Sequence, residues 1–454
     1  MEQNLMWNRC IVLGAARSGL AAAKFLSKLG TRVTVTDSCL AKFKEPSWEE
    51  LRTQGVELLE EQSVLGKFSD YLFELVVKSP GISYNAPLIQ AAIRRAIPIV
   101  TEVELAGRVS LAPILGITGT NGKTTTTILV GKLLQAAGYS TLVAGNIGQA
   151  LLEVVPSLTE QDWLVAELSS FQLQGTIDFK PKVAACLNLS PAHLDYHGTL
   201  AEYQAAKAKL FANQTAEDFA VLNFDDSFCL NLGRNLKSPP YWFSAEREVP
   251  QGIWAANNSI WFKKGAQEPE LLVTMDKLDN SVVHIGNLLV ALLIVKLCGA
   301  QVTNLPEVLS HFQGPEHRLE YVRRYNGVDF YNDAKASNLA ATSYALASSK
   351  APIILIGGGL DRGDDFYALF QRFKEKIRWV CAFGESGKRM IADAKKAGIY
   401  KVDLVKDLEE AVFQVMKGAR SEETVLFSPA CASWDMFSSF EERGGMFKDL
   451  VHKF

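Results

Sequence analysis

The sequence predicts an α/β protein of three domains built on parallel sheets. Its 454 residues fill about three domains at roughly 150 residues each. Short β-branched runs alternate with longer helical patterns along the chain, as in repeated strand–helix–strand units. Several of those runs end in glycine-rich or polar turns, where a parallel sheet gathers its ligands.

The first block opens with a strand at Cys10 to Leu13, a glycine-containing turn, and a helix through Ala21 to Leu29. A second strand, Thr31 to Thr36, ends at Asp37. Val76 and Val77 lead into a Ser79-Pro80-Gly81 turn, and a short strand near Ile97 to Val100 closes the block. Glu102 to Val109 reads as a connector. The second block has strands at Pro113 to Thr118, Thr141 to Ala144, Trp163 to Glu167 and Val183 to Asn188. Short strands interrupted by Pro, Trp and Asn follow over about Val221 to Val273, then a helix at Leu288 to Leu297. The chain changes again near Gly314-Pro315. Tyr325 to Tyr331 reads as a strand entry, with strands at Ile353 to Ile356, Trp379 to Phe383, Val402 to Val405 and Val425 to Phe427. The expected division is a Rossmann-like domain over 1–104, a central P-loop ATPase-like domain with a parallel sheet over 105–314, and a C-terminal Rossmann-like domain over 315–454.

Composition narrows the function. At 48% hydrophobic and 21% charged residues, the chain is not mostly disordered. A net charge of -3 gives no general basic field, so nucleic acid is not an expected partner. No apolar run reaches the ~18 residues of a membrane span. Met1 to Arg9 is polar and shows no secretory signal. Seven scattered Cys without a CxxC motif suit reduced thiols, so a cytoplasmic location is expected.

The sharpest motif is Gly119-Thr120-Asn121-Gly122-Lys123-Thr124-Thr125, between an apolar strand and a helical run. Glycines let backbone N–H groups approach phosphate oxygens, and the helix N-terminus favours their charge. Lys123 is placed to reach the β/γ phosphates and the Thr124 hydroxyl to bind Mg²⁺. The loop is a variant, because Ile117 stands where the usual first glycine belongs. Asn146, Glu167 and His193 follow three other strands of this block, so they share its crevice. An acid such as Glu167 beside a phosphate loop is a natural metal anchor. His193 and His197 are spaced i, i+4, but Leu194 replaces the Glu that a zinc HExxH motif needs.

Taken together the motifs resemble the Mur ligase family. The matching strings are Ser79 to Ile82, the loop itself, Gly145 to Gly148, Ala166 to Leu173, His317 to Glu320, Asn332 to Asn338 and Ser428 to Ser433. The resemblance implies an ADP-forming acid–amino-acid ligase that acts through an acyl phosphate and a tetrahedral intermediate in peptidoglycan precursor synthesis. Glu167 to Leu173 and Ser428 to Ser433 favour the branch that adds D-glutamate to UDP-N-acetylmuramoyl-L-alanine. Small-molecule substrates, ATP and two Mg²⁺ ions are the implied partners, and a monomer is expected.

By the same resemblance Lys123, His193 and Lys207 are catalytic. Thr124, Glu167, His193 and Lys207 serve the metals, and Lys207 carries a carbamate. ATP contacts fall on Gly119 to Thr125, Asn287, Arg318 and Asp333. His284 stands where the family often has an Asn, three residues before Asn287. The uridine substrate is assigned to Arg17, Ser18, Asp37, Gly81 and Asn146. The turn Gly14 to Gly19 has Ala16 in place of a middle glycine, which weakens a dinucleotide-binding alternative. D-glutamate falls to Lys335, Ser337, Arg362, Ser433 and Phe440. Arg362 matches a lysine of some relatives and offers a bidentate carboxylate contact that lysine lacks.

Two other readings stand beside this one. A folylpolyglutamate synthase-like ligase shares the phosphate loop but not the uridine-binding block. A non-catalytic nucleotide-binding module has no use for His193 or Lys207. Hinges are expected at Glu102 to Val109 and Gln313 to Glu316.

Overall fold

A computed structural model describes residues 7–278, 284–312 and 314–454. The chain forms two compact units, Met1–Phe312 and Gln313–Phe454. The first unit holds two sheets and the second holds one.

The first sheet has five strands in the order Glu57–Glu60, Arg32–Asp37, Arg9–Leu13, Leu75–Lys78 and Ile99–Val100. All neighbours are parallel. Chain order reverses between Arg9–Leu13 and Leu75–Lys78, and such a switch point opens a crevice at the strand C-termini. The second sheet has nine strands, and one side of it runs Val183–Cys186, Ile114–Thr118, Trp163–Glu167 and Thr141–Gly145, the last of these at the edge. Those pairings are parallel. The far edge, Gly252–Ala256, Ser259–Lys263 and Glu270–Thr274, is antiparallel. The helices Lys123–Ala136 and Ile285–Leu297 bury apolar residues in one core with the inner face of this sheet. Another core runs continuously from Val33 and Val35 of the first sheet to Ala144 and Leu164 of the second. In the second unit six strands are parallel except Glu320–Tyr325, which pairs antiparallel with Val328–Asn332.

The predicted runs appear as strands, with three differences. Tyr325 to Tyr331 is not one strand but a hairpin, turning at Asn326 and Gly327 with φ of 49° and 77°. An Asn-Gly pair with both φ positive matches the twist of flanking strands. Glu57–Glu60 is an extra edge strand, and its Glu-Leu-Leu-Glu pattern lacks the alternation that marks strands.

The third difference corrects the hinge expectation at Glu102–Val109, which is a helix with most of its residues buried. Glu104, fully buried, accepts N–H bonds from Ile177, Asp178 and Phe179 and a 2.7 Å bond from Arg108. Bending there would strand a buried carboxylate, at a cost of several kcal/mol on the order of 3–5. In the other candidate hinge, Gln313 lies outside the described residues.

Candidate functional site

The phosphate loop leaves Ile114–Thr118 and enters the helix Lys123–Ala136. Gly122 caps that helix at φ 83°, and a Cβ there would lie 2.6 Å from Asn287 Oδ1. Only glycine fits both the backbone and the space. The neighbouring strand end pins the loop. Thr120 N donates to Asn188 O at 3.0 Å, and Asn121 N donates to Asn188 Oδ1 at 2.9 Å. Asn188 Nδ2 returns a bond to Asn121 O at 3.1 Å. The Thr120 hydroxyl lies 3.1 Å from Tyr203 Oη.

Two lysines converge on this loop. Lys123 Nζ donates to Gly119 O at 2.8 Å and to Thr120 O at 2.9 Å. Lys207 Nζ donates to the same Gly119 O at 2.8 Å. Lys207 is 1% exposed, and burial, aided by the Lys123 charge, pushes its pKa down to about 7. Its ammonium stands 4.8 Å over the Tyr203 ring.

Glu167 ends the strand Trp163–Glu167 and is 1% exposed. Its Oε1 accepts from Asn146 Nδ2 at 2.8 Å, whereas Oε2 is buried without a hydrogen-bond partner. A desolvated carboxylate oxygen left open is what a metal ligand leaves, since an orphaned buried acceptor is otherwise costly. Thr124 is buried in the first turn of the loop helix. These oxygen donors suit Mg²⁺. His193 has φ 56° and caps the short helix Leu194–His197. Burial and the Lys123 charge hold its pKa low, so the imidazole is neutral and able to ligate. Phe171 packs against it at 5.0 Å between ring centroids. The first unit therefore brings together Lys123, Thr124, Asn146, Glu167, His193, Lys207 and Asn287 within its central sheet's crevice.

The first sheet carries a cavity of about 390 Å³ at its switch point, lined by Gly14, Ser18, Asp37, Ser79, Gly81 and Ile82 among others. A Cβ at Gly14 would sit 2.5 Å from Ser79 Oγ, and one at Gly19 would sit 1.8 Å from Gly14 O. Burial raises the Asp37 pKa, but N–H bonds from Ala15 and Cys39 and a 2.9 Å contact with Lys42 bring it below the usual carboxylate range. Arg17 is exposed and reaches Gly148 O at the end of the Asn146 loop.

In the second unit Asp333 is buried, and burial pushes its pKa up to about 7. Its two oxygens accept from Leu319 N at 3.1 Å and Ser428 Oγ at 2.7 Å. Lys335 Nζ stands 5.2 Å over the Phe440 ring, and the Arg362 guanidinium stands 5.2 Å over Trp434. Arg443, fully buried, donates 2.9 Å bonds to Ala334 O and Cys431 O. It thereby joins the loops that carry Lys335, Ser337 and Ser433. Sequence reading passed over Arg443, Asn188, Tyr203 and Lys78. Asn188 at a strand end and Lys78 closing an apolar strand were the available signals.

Three family models match: "Mur ligase MurD-like, N-terminal domain" over residues 8–101, "Mur ligase middle domain" over 117–287, and "Mur ligase, glutamate ligase domain" over 317–431. The UDP-N-acetylmuramoylalanine--D-glutamate ligase of Bacillus cytotoxicus is 43% identical over 447 residues, covering 98% of this chain and 97% of that one. The enzyme of the same name from Geobacillus sp. (strain WCH70) is 41% identical over 450 residues, with the same coverage, 98% and 97%. Among solved structures, UDP-N-acetylmuramate-alanine ligase from Thermotoga maritima superposes with a TM-score of 0.58 at 18% identity, covering 98% of this chain and 99% of that one. MurF from Acinetobacter baumannii gives a TM-score of 0.58 at 15% identity, covering 98% and 93%. These distant structures share the fold.

Proposed function

The chain belongs to the Mur ligase family, and we infer from that premise how its residues divide the work. It is an ATP-dependent ligase of peptidoglycan precursor synthesis that adds D-glutamate to UDP-N-acetylmuramoyl-L-alanine. The observation that carries the chemistry is the convergence of two lysines, an open carboxylate oxygen and a neutral histidine on one glycine loop.

The uridine diphosphate end occupies the first-sheet cavity, held by Asp37, Ser18 and Arg17, with Gly81 and Asn146 along the path to the loop. The loop residues 119–125 hold the ATP phosphates, with Asn287 toward the nucleoside, and Arg318 and Asp333 keep the ATP-binding role that the family resemblance implies. A substrate carboxylate oxygen attacks the γ-phosphorus, and the bond to the β-phosphate oxygen breaks. ADP leaves and an acyl phosphate remains. Lys123 screens the two anions as they meet. The neutral amine of D-glutamate then attacks the acyl carbon. The tetrahedral intermediate expels phosphate carrying one former carboxylate oxygen, and the amine proton is lost. D-glutamate is assigned to Lys335, Ser337, Arg362, Ser433 and Phe440.

Thr124, Glu167, His193 and Lys207 serve two Mg²⁺ ions, which when bound neutralise charge on the transferring phosphoryl group. Lys207 serves as a carbamate. Its neutral amine attacks CO₂, a C–N bond forms and one proton leaves, turning the second of two crowded cations into an anion. The lowered Lys207 pKa supports this, because the attacking amine must be unprotonated. The ligase acts as a cytoplasmic monomer with functional domains over 1–104, 105–314 and 315–454. Among the described residues no helix is long and apolar enough to cross a membrane.

The test is a product assay with UDP-N-acetylmuramoyl-L-alanine labelled with ¹⁸O in its carboxylate. D-glutamate should give the amide and transfer label into phosphate. Unlabelled phosphate would overturn the acyl-phosphate route. Turnover only with L-glutamate and a pteridine substrate would favour the folylpolyglutamate synthase-like reading.

A further inference from the structure

Lys78 closes the first-sheet strand Leu75–Lys78 and is 1% exposed. Among the described residues no carboxylate lies within ion-pair distance of it. Its Nζ instead donates to Pro80 O at 3.1 Å and to Tyr196 Oη at 3.2 Å. The rings of Tyr84 and Tyr196 flank it at 5.2 and 5.9 Å. The Tyr196 hydroxyl lies 3.1 Å from Pro80 O and 2.9 Å from Ile82 O, as donor to these carbonyls. Tyr84 Oη donates to Gln174 O at 3.4 Å.

These contacts join two places. Ser79 to Ile82 is a wall of the first-sheet cavity. Tyr196 belongs to the short helix capped by His193, and Phe171 packs on both Tyr196 and His193, at 4.5 and 5.0 Å. Burying a lysine without an anion is expensive, and here the charge is met by a carbonyl, a phenol and two aromatic faces. Burial alone pushes its pKa down to about 8. An apolar side chain would fill this place at less cost, so the charge contributes position rather than stability.

We propose that Lys78 and Tyr196 are positioning residues that couple the substrate-cavity loop to the His193 helix, so that filling the first-sheet cavity sharpens nucleotide binding at the phosphate loop. The inference rests on the site assignments proposed above. Coupling is reciprocal: a substrate that orders Ser79 to Ile82 orders Tyr196, and bound nucleotide does the same in return. Neither residue touches the reacting atoms.

The test measures affinity for a non-hydrolysable ATP analogue with Mg²⁺, by calorimetry on the full chain, with and without saturating UDP-N-acetylmuramoyl-L-alanine. In the parent protein the sugar substrate should tighten the analogue by about fivefold or more. In Tyr196→Phe and Lys78→Met that ratio should fall to within about twofold of one, while each ligand measured alone stays within about threefold of the parent. A generally damaged fold would instead weaken both separate affinities. Should Lys78→Met fail to fold, Tyr196→Phe, which lacks one oxygen, decides the matter. A ratio unchanged in Tyr196→Phe, or near one in the parent, overturns the coupling. The parent failing to bind the sugar substrate at all would overturn the functional reading itself, and the two failures are separable.

Discussion

Replacing Lys207 with methionine should stabilise the empty protein and abolish ligation. Lys207 is 1% exposed, and its pKa falls from 10.5 to about 7. The unfolded chain therefore binds more protons than the folded one between those values, and stability rises with pH through that window. Keeping the amine protonated in the fold costs at most about 4 kcal/mol at pH 7, and the same linkage leaves only about 1 kcal/mol at pH 10. Methionine has similar length and no charge, so it removes this penalty. It also gives up the bond to Gly119 O, worth on the order of 1–2 kcal/mol. The net expectation is a gain of about 1–3 kcal/mol at pH 7, shrinking or reversing near pH 10. Urea denaturation under CO₂-free gas with EDTA reads this without the carbamate or metal. A coupled ADP-release assay reads the loss of turnover. Lys207→Met being less stable than the parent at pH 7, or turning over normally, would refute the reasoning.

Two further substitutions probe the supports of the site. Gly145 sits at φ 110°, and a Cβ there would lie 2.4 Å from Glu167 O, so Gly145→Ala should displace the Glu167 strand end at a cost of about 1–3 kcal/mol. The Mg²⁺ concentration for half-maximal activity should rise about tenfold with lowered thermal stability, and an unchanged Mg²⁺ titration would count against Glu167 as an anchor. Asp37→Asn removes a carboxylate whose pKa is lowered in the fold, so it should cost on the order of 2 kcal/mol at pH 7. That stability is present above the unfolded value of 3.8 and is lost as pH falls through the lower folded value, so the gap between variant and parent should close in acid. Denaturation at pH 7 and pH 3 measures it, and an equal gap at both pH values would contradict the assignment.

The glycine loop was legible from sequence because its requirement is local. Backbone N–H groups approach a phosphate only where glycines permit it, directly before a helix, and Gly119 to Thr125 spells that out. The strands were legible for a similar reason, since burial on both faces demands β-branched runs such as Ile353 to Ile356. Glu102–Val109 misled because its acids look solvent-loving. Only the fold supplies the three N–H groups around Glu104 that let a carboxylate be buried. Asn326-Gly327 was passed over although its turn chemistry is local.

Other properties exist only in three dimensions. Lys207 and Lys123 are 84 residues apart, and no pattern in the chain says that both ammonium groups reach Gly119 O. The open oxygen of Glu167, the low pKa of Lys207 and the meeting of Lys78 with Tyr196 arise from packing. Sequence determined which chemical groups the protein owns and which local backbone shapes they permit. Tertiary structure decided which groups are stripped of water and set against one another, because desolvation and charge proximity depend on distance in space, not on spacing along the chain.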